Sequence, residues 1–218
     1  MSKTNALTRA HLKTPKAAAI AGIVFSILLL AILWLVRRSV PADPLDTGAW
    51  IVTDAKTVAL ALNLVPFAGV AFLWFIGVLR DRLGEQEDRF FATVFLGSAL
   101  LFLAMLFAGA AVAGAFILVA SSADPNEMIK SSTFRFARAT AYILVNIYAI
   151  KIAGVFMIST STVVISTGIA PRWIAILGYA LACILLLGSY YISWSLAVLP
   201  LWVFLVSIHI LREELGRR

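Results

Sequence analysis

The sequence is poor in the residues from which sites in water are built. It has a single cysteine, Cys183, which excludes an intrachain disulfide and Cys-x-x-Cys redox chemistry. Its two histidines, His11 and His209, are too few and too badly placed for paired axial haem ligands in a membrane or for a His-Glu-x-x-His zinc site. Charged residues make up 13% of the chain, against about 25% in an ordinary soluble domain. Long polar stretches are also missing. The longest segments outside the apolar runs, about 37–56 and 121–140, are too short to bury a core, so no separate soluble domain is expected. With no catalytic or metal-binding signature, no catalytic residue, metal ligand or cofactor is assigned.

What is abundant is hydrocarbon. Hydrophobic residues make up 62% of the 218 positions and the mean hydropathy is +0.98. A sphere of this size has too few polar residues to cover its surface, so lipid must solvate most of the chain. A bilayer core of about 30 Å needs roughly 20 apolar residues in a helix. Six segments qualify, at about 17–36, 57–79, 90–120, 141–167, 173–188 and 196–211. The expected fold is therefore all-α: a polytopic membrane domain of six transmembrane helices over 17–211, with a basic tail at 1–16 and a short tail at 212–218. The third segment exceeds the need of a vertical helix and should tilt or project. The last two are the shortest, and the uncharged link Ser189-Tyr190-Tyr191-Ile192-Ser193-Trp194-Ser195 between them should put its aromatic rings at the interface. The first segment is longer than the apolar core of a signal peptide and ends at Arg37 and Arg38, so it is read as retained.

The net charge of +7 is an orientation signal rather than a nucleic-acid footprint. Six spans leave both termini on one side, where 11 basic residues fall, against six on the other: Arg37, Arg38, Lys56, Lys130, Arg135 and Arg138. The excess places both termini in the cytoplasm. The tail, with Lys3, Arg9, Lys13 and Lys16, should lie on anionic lipid at about 1 kcal/mol for each basic residue near the surface.

No Asp or Glu falls within the six segments, and one cation does: Lys151. A charge at that depth costs about 2.5–3.5 kcal/mol on insertion scales and needs a partner, a wet cavity or a route to the interface. At about 100° per residue, Thr140, Tyr148, Lys151, Ser159, Thr162 and Ser166 fall within a sector of roughly 100°, a polar stripe expected to face the bundle interior. Absence of a carboxylate at its depth removes the usual proton relay of a transporter. Available partners are Asn63, Tyr148, carbonyls freed at Pro66, or the external carboxylates Asp54, Asp124 and Glu127. Two roles stay open for Lys151. It snorkels into a small hydrated outer vestibule, or it binds an anionic ligand or lipid headgroup with Arg135 and Arg138 guiding the approach. The expected cavity-lining set is Lys151, Tyr148, Asn63, Ser159 and Thr162.

Gly97, Ala104, Ala108, Ala111 and Ala115 share one face of the third segment, where small side chains let another backbone approach. Packing within the monomer is the expectation; a dimer interface is the alternative. Pro66, with Asn63 one turn before it, predicts a kink in the second segment.

The run Ser166-Thr167-Gly168-Ile169-Ala170-Pro171-Arg172-Trp173, continuing to Leu177-Gly178, resembles a short turn of several uncharacterised bacterial multi-pass membrane-protein families. The likeness covers that loop and the start of the next span. It implies a bacterial inner-membrane protein and no particular activity. Physically, Gly168 ends a helix, Pro171 starts another, and Arg172 and Trp173 anchor the cytoplasmic interface. The functional expectation is a non-enzymatic membrane component or accessory subunit, partnered by lipid and by a membrane protein or a second copy. The alternative is a small transporter or channel, or a binder of an anionic ligand or lipid, with an outer-half site at Lys151. An enzyme ranks third because the hydroxyl residues lack a buried base.

Overall fold

The computed structural model describes residues 15–43, 46, 48–83, 89–121, 125–168, 170–188 and 194–216. Residues 1–14, 84–88, Asp124, the link at 189–193 and the last two arginines lie outside the described residues. Among the described residues the secondary structure is helical throughout: α1 (Pro15–Ser39), α2 (Trp50–Thr53), α3 (Ala55–Leu83), α4 (Arg89–Ala120), α5 (Pro125–Lys130), α6 (Ser132–Ile143), α7 (Ile150–Thr167), α8 (Arg172–Cys183) and α9 (Val198–Gly216). A π-helical turn, Leu144–Ala149, joins α6 to α7 without a break; a second, Ile184–Gly188, finishes α8, and a 3-10 turn, Ser195–Ala197, starts α9.

Among the described residues, five helices are long and apolar enough to cross a membrane: Ala17–Ser39, Ala55–Arg80, Thr93–Ala120, Ser132–Ser166 and Ser195–Glu213. The protein is an all-α integral membrane protein. The sixth expected span, Arg172–Gly188, is shorter, about 26 Å at roughly 1.5 Å per residue. The fourth span starts at Ser132 instead of 141. Ser131 caps it by accepting from the Phe134 amide at 3.1 Å, so Arg135 and Arg138 ride on the helix rather than in a loop. Helix α3 runs unbroken through Pro66.

Between helices in lipid there is little hydrophobic driving force, so close packing must hold the bundle together. Its centre is a group of phenylalanines from four helices. The Phe72 ring lies 4.4 Å from that of Phe25, 5.1 Å from Phe156 and 5.5 Å from Phe102, centroid to centroid. Nearer the termini, Gly22 lets α1 approach α3 and α9, because a Cβ there would run into the Ser207 hydroxyl and the Phe75 ring. Gly154 and Gly178 do the same along the seam between α7 and α8: the first lies under Ala182 and Leu186, the second under Ser161 and Trp202. Gly168 closes α7 at φ +64°, its N–H reaching the Val164 carbonyl at 3.0 Å, and Pro171 precedes the first residue of α8. The turn is built as its glycine and proline predict.

The Ser39 end of α1, the Ala55 end of α3, the Ala120 end of α4, the Ser132 end of α6 and the start of α9 all border one cavity. Successive traverses therefore alternate in direction, and we call the cavity's end of the bundle the distal end.

Candidate functional site

Lys151 is half-buried, and its ammonium donates to the carbonyls of Leu185, at 3.5 Å, and Leu186. Both belong to the π-turn that ends α8. The last carbonyls of any helix lack intrahelical partners and carry the negative end of its dipole. Lys151 therefore donates from a neighbouring helix to carbonyls in the last described turn of α8. Gly154, one turn along, provides the close approach this requires.

The other members of the expected Lys151 site do not gather around it. Tyr148 is 52% exposed, and Asn63 is exposed on α3. Ser159 is buried but donates to its own helix, to the carbonyls of Val155 and Phe156 at 3.1 and 3.0 Å. Thr162 reaches across the seam, its hydroxyl 2.8 Å from that of Tyr179. Of the polar stripe, Lys151 and Thr162 are thus the two that engage α8, and their contacts serve helix packing. The small residues of α4 do not take part in packing within the monomer, which was the first of their two expected uses. Ala104, Ala111 and Ala115 are exposed, and a Cβ on Gly97 would meet nothing within 4 Å. Helix α4 instead buries its bulky side, Phe95, Phe102, Leu103 and Leu106, because those side chains fill the space against the phenylalanine cluster.

A different site stands at the distal end. It is a cavity of about 190 Å³ whose walls are mostly aliphatic and aromatic, with Leu33, Leu62, Val65, Leu106, Ala113 and Phe116 among them. Gly109 also lines it and gives the room, since a Cβ there would press on Val145 at 2.5 Å. Three polar features border this hydrocarbon. Arg37, from the last turn of α1, donates through Nη2 to Asn146 Oδ1 at 3.0 Å, and Asn146 in turn donates to the Tyr142 carbonyl at 3.2 Å. The π-turn carries Asn146 to this position. Arg138, from α6, clasps the connection between α1 and α2: Nη1 donates to the Asp46 carbonyl at 2.7 Å and lies 3.3 Å from Asp46 Oδ2, while Nη2 donates to the Asp43 carbonyl at 2.7 Å. Asp46 Oδ2 also accepts from the Gly48 amide at 3.0 Å. Gly48, at φ +84°, fits directly under the Phe134 ring, another wall of the cavity. Trp50 follows, 8% exposed, with its indole N–H enclosed and lacking an acceptor among the described residues.

Sequence reasoning placed Arg37 and Arg138 among the loop and interface charges and did not single out Trp50 or Asn146. Arg37 and Asn146 are 109 positions apart, and no local pattern links them. The one available signal was Ser131, a capping residue that moves the helix start upstream and brings Arg138 onto it. No protein-family model, curated protein or solved structure matches this chain.

Proposed function

We propose that this integral membrane protein is a non-enzymatic membrane component that holds a lipid-like guest by its hydrocarbon in the distal cavity. The cavity carries the proposal: a space of about 190 Å³, walled mainly by apolar side chains, with two cationic residues, Arg37 and Arg138, on its wall. An apolar cavity of about 150 Å³ stays dry and takes up benzene, so this one accommodates on the order of seven or eight carbons. That is one short alkyl chain or the leading part of a longer one, and too little for the paired chains of a diacyl lipid. The alternative of transport through Lys151 loses its support, because that ammonium is bound to the carbonyls of Leu185 and Leu186.

The basic residues support a cytoplasmic location for the termini, by 11 to six, and the Gly168–Trp173 turn supports a bacterial inner membrane. In that orientation the cavity lies in the outer leaflet half of the protein. The test is octane binding to the protein in nanodiscs, followed through the methyl NMR signals of Leu62, Val65 and Leu106. Shifts confined to these residues, and lost in Ala113→Phe, are expected. Shifts that persist unchanged in Ala113→Phe, or no shifts at all, would sink the proposal.

A further inference from the structure

We propose that the π-turn Leu144–Ala149 is a rotary joint: wound as π it holds the wall of α6 against the distal cavity, and rewound as α it withdraws that wall. For its guest, and only for that, the inference rests on the reading above. The observation is an exchange of helix faces across the turn. Seven residues make about two turns of an α-helix, so positions seven apart share a side. Phe134 and Ala141 line the cavity, yet Tyr148 and Val155, next in the same series, are exposed. Phe136 and Ile143 are exposed, yet Ile150 and Met157, next in theirs, are buried. A straight α-helix over 132–166 cannot do both. A π-turn closes i to i+5 instead of i to i+4 and so takes in one extra residue. That residue turns the two halves about 100° against each other and gives each its buried face.

Of the two halves, α7 is the one anchored in the bundle. The Phe156 ring lies 5.1 Å from that of Phe72 and 5.5 Å from that of Phe95, Gly154 fits under Ala182 and Leu186, and Lys151 donates to the carbonyls of Leu185 and Leu186. Helix α6 is held at the distal end, by Arg138 on the carbonyls of Asp43 and Asp46 and by the Phe134 ring over Gly48. Loss of the extra residue from the joint carries α6 about 100° around its axis. Arg138 then leaves both carbonyls, and Phe134 and Ala141 leave the cavity wall. Joint, clasp and cavity form one two-state unit, and a guest that fills the cavity favours the π-wound state through its differential affinity.

The test deletes Ile147, an exposed residue of the turn, and compares the variant with wild type in nanodiscs, by hydrogen exchange and by the octane-induced methyl shifts of Leu62, Val65 and Leu106. The deletion variant is expected to accumulate and to keep exchange across 156–164 within about twofold of wild type, while exchange across 48–54 rises at least about tenfold. Its octane shifts should be lost. Unchanged exchange across 48–54, or octane binding retained in the variant, overturns the inference. So does exchange that rises across 156–164 as much as across 48–54, since the turn would then hold the whole bundle and not α6 alone. If the Ile147 deletion does not accumulate, deletion of the exposed Ile143 takes its place, and failure of both overturns the inference, because a helix that turns as a unit survives the loss of its extra residue. Absence of octane shifts in wild type sinks the guest reading, and exchange across 48–54 and 156–164 in the deletion variant then decides the joint by itself.

Discussion

Substituting Arg138→Met keeps most of the side chain's length and removes its charge, so it tests the clasp at the distal end directly. Three contacts go at once: the 2.7 Å bonds to the carbonyls of Asp43 and Asp46, and the 3.3 Å approach to Asp46 Oδ2. Breaking a buried pair by removing one partner costs about 3–5 kcal/mol. The Arg138 side chain is 9% exposed, whereas that of Asp46 is 27% exposed, so water takes up part of the abandoned carboxylate. The expected loss therefore sits at the low end, about 3 kcal/mol. Asp46→Asn should cost less, because Arg138 retains both backbone carbonyls. The double variant should lose no more than Arg138→Met alone, giving a coupling of about 1–2 kcal/mol. Unfolding by SDS in mixed micelles measures each value, and hydrogen exchange across 46–54 reports whether the connection opens first. A loss below about 1 kcal/mol for Arg138→Met, or simple additivity of the two changes, would show that Arg138 does not hold this connection.

Lys151→Met sets two terms of similar size against each other: the bonds to the Leu185 and Leu186 carbonyls, worth about 1.5–3 kcal/mol, and the relief of an intramembrane charge, worth about 2.5–3.5 kcal/mol. Stability in the SDS assay should move by less than about 1 kcal/mol, while Lys151→Glu, which faces the same carbonyls with lone pairs, should fail to accumulate; a loss above about 3 kcal/mol in the Met variant would contradict the balance. Gly178→Leu must displace the fully buried Ser161 and Trp202, with indole carbons at 2.8 and 2.9 Å from the new Cβ, and should cost at least about 2–3 kcal/mol. Gly97→Leu, with nothing within 4 Å of its Cβ, should stay within about 0.5 kcal/mol, and equal losses for the two would refute the assignment of these helix faces.

Several features were legible because they are local. A run of apolar residues long enough for a bilayer forms a helix wherever it occurs, and Gly168 with Pro171 ends one helix and begins the next through backbone constraints carried within a few residues. Lys151 was conspicuous as a lone charge in hydrocarbon, and half-buried contacts with polar partners are what such a charge requires. Its partner was not legible. The candidates were side chains or carbonyls freed at Pro66, whereas the acceptors are the end carbonyls of a different helix, and every residue type carries such carbonyls. The small-residue face of α4 is not used within the monomer for a related reason. Small side chains permit a close approach, but the neighbouring helices of the monomer fill their space with the bulky face bearing Phe95 and Phe102.

Composition by itself determined the solvent: with 62% hydrophobic residues and 13% charged, only a lipid-solvated helical protein can bury its backbone polar groups and its surface at the same time. Hydropathy also determined approximately where the chain crosses. Tertiary structure decided which face each helix turns inward, because Asn63 and Leu62 are equally possible neighbours of a cavity until packing assigns Leu62 to it. It also decided that Lys151 donates to carbonyls in the last described turn of α8, and that Arg37, Trp50 and Asn146 line one apolar space. Those choices depend on how helices of unequal length fill volume together, a property of the whole bundle that no stretch of sequence carries alone.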